Sequence, residues 1–177
     1  MSEFRRRLMM QVENDPNALP AGCVRCEYLK SNGQQYINTL HILEDDFIIE
    51  VEYEGWEHGD SMYGGKYGNI RDAVLWADYT GVVHQNIGAL DSGKTPFKFI
   101  GIATGRHTYR FDVSNNIGSA WVDGTIRYDN VRFTGDYRSG VPMYLFAVNV
   151  DGSAVEHNYT SVYSFSISQG GDKVLNF

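Results

Sequence analysis

The feature that most constrains this fold is an alternation of apolar and polar residues, with a period of two, that recurs in short segments. Side chains of a strand point alternately to the two faces of a sheet, so each segment predicts a strand with one buried face. No segment carries apolar residues at the three- and four-residue spacing of an amphipathic helix. The clearest segments are QQYINTL, FIIEVEYE, AVLWADY, FKFIGIA, HTYRFDVS, SAWVDGTIRYD, MYLFAVNV and SVYSFSI.

Turn signals separate these segments and indicate the fold class. The intervening stretches EGWEHGD, YTG, DSGKTP, SNNIG and QGGD favour turns. A sheet with one apolar face must cover that face with a second layer. We therefore predict an all-β fold, an antiparallel β-sandwich of the jelly-roll type with roughly 10 to 14 strands and no long helix. A closed barrel is the alternative. The predicted core contains Ile37, Ile49, Val51, Phe99, Tyr109, Phe111, Trp121, Phe146 and Phe165.

Length and charge exclude several classes of protein. The 177 residues favour one domain with one substantial core. The formal net charge of -7 disfavours binding to nucleic acid, because phosphate backbones are anionic. No run approaches the roughly 18 apolar residues that cross a bilayer, so we expect no membrane partner. The five histidines lack metal-ligand spacing, and we expect no metal and no cofactor.

The N-terminal segment differs from the rest in both pattern and charge. Residues 1–21 contain FRRRLMM and the proline-containing loop NDPNALPAG, and they precede a folded domain at residues 22–177. Arginines make paired hydrogen bonds with carboxylates, and Met fills irregular apolar pockets. We interpret the segment as a docking arm; a solvated tail and an arm lying on DNA or membrane are the alternatives. The candidate docking residues are Phe4, Arg5, Arg6, Arg7, Leu8, Met9 and Met10.

The order of several motifs resembles a known family. LPAGCVRCEYLKSNGQQYINT, FIIEVEYE, HTYRFDVSNNIGSAWVDGT, YLFAVN and SVYSFSISQGGDKVLNF follow one another as in concanavalin A-like (laminin-G-like) jelly-roll domains. The sequence is similar to the versions found in structural proteins of phages and prophages of gut bacteria, where a short basic and Met-rich N-terminus also precedes the domain. Cys23 and Cys26 stand where an aromatic residue and a leucine are usual, which favours structural thiols.

The best candidate for a carbohydrate-binding site is the stretch GWEHGDSMYGGKYGNIRDAVLWADY. Sugars need a flat apolar surface for one face of the ring and directional partners for the hydroxyl groups, and aromatic and polar side chains supply both here. Trp76 and Trp121 lie in alternating runs, so we assign them to the core, whereas we expect Trp56 at the surface. The candidate binding residues are Trp56, His58, Tyr63, Tyr67, Asn69 and Arg71, with Asp60 and Lys66 as further hydrogen-bonding groups.

Alternating glutamates in IIEVEYE raise an enzymatic alternative. Glu50, Glu52 and Glu54 should emerge on one face of a strand, as in the ExDxE strand of retaining glucanases with the same fold. That resemblance implies Glu50 as nucleophile and Glu54 as acid/base. Glu52, however, replaces the aspartate of the pattern, and a solvated polar face of a sandwich strand explains the alternation. We therefore expect no enzymatic activity, with a retaining glycoside hydrolase as the less favoured alternative.

The resemblance implies a function and a setting. It indicates a virion structural protein, a fibre or decoration subunit of head or tail, that exposes a lectin-like domain to carbohydrate or to a host surface. Such subunits act in many copies, so we expect a homo-oligomer, a trimer or a dimer, that contacts other virion proteins through the arm. The expected location is the virion, assembled in the bacterial host cytoplasm. A free carbohydrate-binding module is the alternative.

Overall fold

The computed structural model describes residues 27–56, 61–68, 70–89, 97–100, 102, 104–133 and 136–176. The candidate docking residues 4–10 and both cysteines lie outside these ranges. Within them the chain forms strands, turns and loops but no helix, and hence none that could cross a membrane. The predicted all-β fold class is confirmed.

The described residues contain fifteen strands, slightly more than the sequence suggested, because several are only two or three residues long. They are β1 (Leu29–Lys30), β2 (Ile37–Asn38), β3 (Phe47–Glu54), β4 (Ser61–Tyr67), β5 (Ile70–Ala77), β6 (Val82–Ala89), β7 (Phe97–Ile100), β8 (Arg106–Ser114), β9 (Ile117–Val122), β10 (Thr125–Arg132), β11 (Tyr144–Leu145), β12 (Val148–Val150), β13 (Ser153–Val155), β14 (Ser161–Gln169) and β15 (Asp172–Asn176).

Two sheets pack face to face and form the predicted sandwich. Sheet A has the order β1-β14-β3-β8-β9-β10, and β15 also pairs with β14. Sheet B has the order β13-β12-β4-β5-β6-β7, and β2 joins it through β11, which pairs with β4. The pairings of the described strands are antiparallel except for that between β12 and β4.

Strand β4 pairs with two neighbouring parts of the segment 144–150. Tyr144 and Leu145 pair with it antiparallel, whereas Asn149 and Val150 pair with it in parallel. Between these pairs lies Phe146, which is buried and has a φ of 67°. The change of direction places the hairpin of β12 and β13 along sheet B.

The inner faces of both sheets are apolar and largely aromatic. On β3, in the middle of sheet A, alternate residues from Phe47 to Tyr53 are at most 2% exposed. This is the burial pattern that the period-two alternation predicts. The predicted core is confirmed for Ile37, Ile49, Val51, Phe99, Tyr109, Phe111, Phe146 and Phe165.

The assignment of Trp121 to the core is wrong. Strand β9 turns its small residues inward, so Trp121 lies half-buried on the outer face of sheet A, with the Arg110 guanidinium 5.5 Å from its ring. Gly118 gives the physical reason. A Cβ at this position would lie 2.8 Å from Cζ of Phe97 on β7 of sheet B and 3.2 Å from the Phe111 ring on β8, so these two rings already fill the inner space beside β9.

A polar contact joins the two sheets inside the core. Oε1 of the fully buried Gln85 on β6 accepts hydrogen bonds from the hydroxyls of Tyr63 on β4 and Tyr109 on β8, at 2.9 and 3.2 Å. Burial raises the pKa of both tyrosines well above the ordinary value, so both hydroxyls remain protonated donors. A buried polar group without a partner costs about 1–3 kcal/mol. The contact therefore favours one alignment of sheet A on sheet B.

Tyr128 covers the edge of sheet B at β7. It comes from β10 of sheet A, and its hydroxyl accepts a hydrogen bond from the Lys98 amide at 2.9 Å and donates one to the Lys98 carbonyl at 2.6 Å. Its ring also packs edge-to-face on Phe97 and Phe99. An uncovered edge strand offers its backbone to other chains. Tyr128, which belongs to the opposite sheet, provides hydrogen-bond partners for the amide and the carbonyl of Lys98.

A buried carboxyl group anchors the loop that precedes β11. Asp72 on β5 is fully buried, and its carboxylate accepts hydrogen bonds from the amide and the hydroxyl of Ser139 at 2.5 and 2.6 Å. Burial raises the pKa of Asp72 to about 7, although the bonds from Ser139 oppose the shift. The interior of the domain thus holds a group that titrates near neutral pH.

This raised pKa predicts how stability depends on pH. Between the ordinary pKa of 3.8 and the folded value of about 7, Asp72 binds more protons in the folded than in the unfolded state. The free energy of unfolding should therefore fall as the pH rises through this window. Asp72→Asn stays neutral and keeps an oxygen for Ser139, so it should flatten this part of the profile in urea denaturation. Equal slopes for wild type and variant would contradict the assignment.

Candidate functional site

An open groove of about 390 Å³ lies on the outer face of sheet B. On β5 the inward positions are taken by Ala73, Leu75 and Ala77, so the alternate side chains Val74 and Trp76 face outward into the groove. The other wall comes from the hairpin of β12 and β13. The lining residues are Lys66, Arg71, Val74, Trp76, Tyr79, Asn86, Val148, Val150 and Glu156.

Trp76 and His84 form a stacked pair in this region. Trp76 is half-buried, and its ring lies 4.3 Å from the His84 ring at an interplanar angle of 13°. The buried His84 donates a hydrogen bond from Nε2 to Oδ2 of Asp78 at 3.0 Å, since a carboxylate can only accept. Its Nδ1 is also buried and has no hydrogen-bond partner among the described residues. The carboxylate thus orients the imidazole, and the imidazole supports the indole ring.

Asp78 also builds the turn that carries Tyr79. Its Oδ1 accepts hydrogen bonds from the Thr80 amide at 2.8 Å, the Thr80 hydroxyl at 2.5 Å and the Val82 amide at 3.1 Å. The hydrogen bonds from Thr80 and then His84 lower the pKa of Asp78, so the group is ionised at neutral pH. Tyr79 is 87% exposed and lines the groove. One carboxylate therefore positions both aromatic side chains of the groove.

Charged side chains of both signs line the groove. Lys66 and Arg71 lie directly opposite each other on β4 and β5, an arrangement that is unfavourable for like charges. Burial lowers the pKa of Arg71, and the charge of Glu156 opposes that shift. Glu156 is therefore close enough to offset part of the positive charge. Together with Asn86, these residues supply hydrogen-bond donors and acceptors beside the indole ring.

Solved structures show the same fold, whereas no protein-family model and no curated protein matches the sequence. A mutant of the NanB sialidase from Streptococcus pneumoniae matches 85% of this chain and 26% of its own, with a TM-score of 0.61 and 11% identity. A mutant of Trypanosoma rangeli sialidase displaying trans-sialidase activity matches 74% of this chain and 21% of its own, with a TM-score of 0.54 and 12% identity.

A carbohydrate-binding module is also similar in structure. The CBM40 of Ruminococcus gnavus IT-sialidase matches 70% of this chain and 75% of its own, with a TM-score of 0.51 and 11% identity. The chain spans about a quarter of the length of the sialidases it matches. Identities this low show the fold alone. The chain thus has a lectin-like β-sandwich fold.

The structure separates the residues that the sequence grouped as a binding site. Arg71 lines the groove, and Lys66 lines it beside Arg71. Tyr67 is 53% exposed at the end of β4. His58 and Asn69 lie outside the described residues.

Two of the predicted binding residues are part of the core. Trp56 is 3% exposed and packs edge-to-face on Tyr53, so the expectation of a surface position is wrong. Tyr63 is 0% exposed and donates its hydrogen bond to Gln85. Neither ring presents a face to a ligand, because both fill the space between the sheets.

The prediction that Trp76 lies in the core is also wrong. Trp76 is half-buried and lines the groove, because Ala73, Leu75 and Ala77 take the inward positions of β5. Tyr79, Asn86 and Glu156 were not among the candidates. The turn ADYTG is a signal for an exposed Tyr79, but no local pattern indicates that Glu156 lies next to β4 and β5.

The three alternating glutamates lie on the outer face of sheet A, on the opposite side of the sandwich from the groove. Each is paired with a side chain of a neighbouring strand. The pairs are Glu50 with Arg110 at 2.9 Å, Glu52 with Arg106 at 2.8 Å and Glu54 with the Tyr163 hydroxyl at 2.5 Å. Cross-strand pairing of this kind accounts for the alternation. Among the described residues, no group of three or more acidic, His or Cys side chains could hold a metal ion.

The role of Asp78 as organiser of the turn is testable by hydrogen exchange. Asp78→Ala removes the acceptor of the Thr80 and Val82 amides, so exchange of both amides should accelerate at least about tenfold. Asp123→Ala is the matched control, because Asp123 holds the Thr108 amide in the same way in sheet A. In NMR-detected exchange, Asp78→Ala should affect the Thr80 and Val82 amides and Asp123→Ala the Thr108 amide. Unchanged protection of Thr80 and Val82 in Asp78→Ala would show that the turn does not depend on this carboxylate.

Proposed function

We propose that this domain binds carbohydrate in the groove on sheet B, with a sugar ring packed against Trp76. The observation that carries the proposal is a half-buried indole ring, supported by His84, that lies among polar and charged side chains in an open groove. A pyranose has an apolar face suited to an indole and a rim of hydroxyl groups that need directional partners. The groove offers both within one site.

The polar side chains of the groove can bind sugar hydroxyl groups both as hydrogen-bond donors and as acceptors. Lys66 and Arg71 donate hydrogen bonds, Glu156 accepts them, and Asn86 does both. Because the lining has two cations and one carboxylate, it suits glycans with an acidic group as well as neutral ones. Nucleic-acid bases also stack on aromatic rings, but the net charge of -7 opposes binding of a phosphate backbone.

Removing the indole ring tests the proposal. Trp76→Ala should lower the affinity for a bound glycan at least about tenfold, because a buried aromatic anchor dominates binding in such sites. The first measurement is an array of neutral, N-acetylated, uronic-acid and sialylated glycans. The second is calorimetric titration of the strongest binder into wild type and variant.

Trp121→Ala is the matched control for this measurement. Trp121 is also half-buried beside a basic side chain, but it lies on the outer face of sheet A. Its removal should leave glycan binding unchanged. The proposal is wrong if wild type binds no glycan, or if Trp76→Ala binds as well as wild type.

We further propose the setting of the domain: the outward-facing part of a virion structural protein, held by its N-terminal arm. Two features of the sequence support this. LPAGCVRCEYLKSNGQQYINT resembles phage structural proteins, and the basic, apolar FRRRLMM precedes an acidic domain. In a many-copy particle, weak glycan contacts would combine into strong attachment. A free carbohydrate-binding module would use the same groove without the arm.

Deletion of residues 2–15 tests the setting separately from glycan binding. The truncated protein should fold and bind glycans as wild type does, but it should not be incorporated into particles, because the arginines and apolar side chains of the arm are lost. Mass spectrometry of purified particles measures the copy number. Wild-type copy number for the truncated protein would exclude the arm as the anchor.

A further inference from the structure

Glu156 has an unusual backbone for a residue of the groove. Among the lining residues it alone has a positive φ, at 55°. Most other non-glycine residues with positive φ in the described structure are Asn or Asp, which tolerate this conformation. The exceptions besides Glu156 are Leu40 and Phe146. Such a conformation persists only where the surroundings impose it, and it is common at functional sites.

Ser61 imposes the conformation of Glu156 through two contacts. Its amide donates a hydrogen bond to the Glu156 carbonyl at 3.1 Å, and its hydroxyl donates one to Oε2 at 2.7 Å. Ser61 is fully buried, and its own carbonyl accepts a hydrogen bond from the buried Asn158 side chain at 2.8 Å. Both the backbone and the carboxylate of Glu156 are thus tied to the first residue of β4. An exposed glutamate ordinarily has several rotamers, whereas this one is held in a single orientation.

We propose that Glu156 is a preorganised hydrogen-bond acceptor that determines which sugars the groove accepts. Its carboxylate accepts a hydrogen bond from one hydroxyl of the sugar, while Arg71 donates one to the adjacent hydroxyl. The ligand class is therefore a sugar with two adjacent free hydroxyls, and this inference rests on the proposed carbohydrate function. Arg71 and Glu156 both line the groove, and the charge of Glu156 opposes the lowering of the Arg71 pKa by burial. A carboxylate beside a guanidinium matches a pair of hydroxyls, one donating and one accepting.

The alternative is that Glu156 only fastens the hairpin of β12 and β13 to β4. In that case, loss of the carboxylate would lower the melting temperature and disturb the whole groove. The two roles differ in one measurable property. Only a direct contact makes binding sensitive to removal of a single hydroxyl of the sugar.

The test uses the strongest-binding glycan of the array and its monodeoxy analogues. Wild type should bind one analogue at least about tenfold more weakly than the parent sugar, because the carboxylate then lacks its donor. Glu156→Ala should bind the parent at least about tenfold more weakly and should no longer distinguish that analogue. Its melting temperature should fall by a few degrees at most, because the buried Ser61 hydroxyl loses its acceptor while the hydrogen bond from the Ser61 amide remains. Ser61→Ala, which releases the carboxylate, should lower the affinity by a smaller factor.

Asp151→Asn and Glu156→Gln form a matched pair of charge-neutralising variants. Asp151 lies on the same hairpin, is exposed and has a φ of 49°, but it is not among the lining residues. Glu156→Gln should weaken binding about three- to tenfold, because a neutral oxygen is the weaker acceptor. Asp151→Asn should leave the affinity unchanged. Equal weakening by both would indicate a general effect of charge and would overturn the proposal.

The outcomes separate this inference from the function on which it rests. If Trp76→Ala weakens binding and Glu156→Ala does not, the groove binds carbohydrate but Glu156 does not select the sugar. If Glu156→Ala retains the discrimination against deoxy analogues, the proposed contact is also wrong. If neither variant weakens binding, or wild type binds no glycan, the groove is not the binding site.

Discussion

The burial of aromatic side chains between the two sheets is the constraint on which the rest of this structure depends. Rings from both sheets fill the interior, and Tyr63, Phe97, Tyr109, Phe111 and Phe165 are almost completely buried. The inner faces of the central strands are therefore occupied by side chains of the core. The outer residues of β4, β5 and β6 are held in place by the same strands whose inner residues form the core. The groove thus has a rigid base, which favours binding because little order has to be created on association.

The alternation along the sequence predicts the strands well and their orientation less well. Where only one face is apolar, as on β3, the phase is unambiguous and the buried residues follow from the pattern. On β5 and β9 both faces carry apolar residues, and the larger side chains, Trp76 and Trp121, suggest the wrong phase. Residues elsewhere in the chain determine which face of β9 points inward: the ring of Phe97 leaves room only for Gly118 beside it. A single segment contains no information about the volume that other strands have already filled.

The same limit applies to the groove. One wall is local, since Lys66 and Arg71 belong to adjacent strands and were recognised in one continuous stretch of sequence. The other wall consists of Val148, Val150 and Glu156, which reach β4 through the reversal at Phe146 and a parallel pairing. Pairing between distant segments, such as β12 and β4, produces no periodic pattern in the sequence of either segment. A residue such as Glu156, held by contacts with distant Ser61, can be recognised only from the three-dimensional structure.

The charged side chains on the outer faces of sheets A and B are paired differently. On sheet A, glutamates of β3 form ion pairs with arginines of the neighbouring strand β8, as in the pairs of Glu50 with Arg110 and Glu52 with Arg106. Exposed ion pairs of this kind contribute little to stability, but each of these charges has a partner of opposite sign. In the groove, Lys66 lies opposite Arg71, and such like-charged neighbours destabilise a sheet. Glu156, whose charge opposes the lowering of the Arg71 pKa by burial, offsets part of this repulsion. The two faces thus differ: these charges of sheet A are paired with opposite charges, whereas the groove brings two cations together, and this contrast supports the proposed site on sheet B.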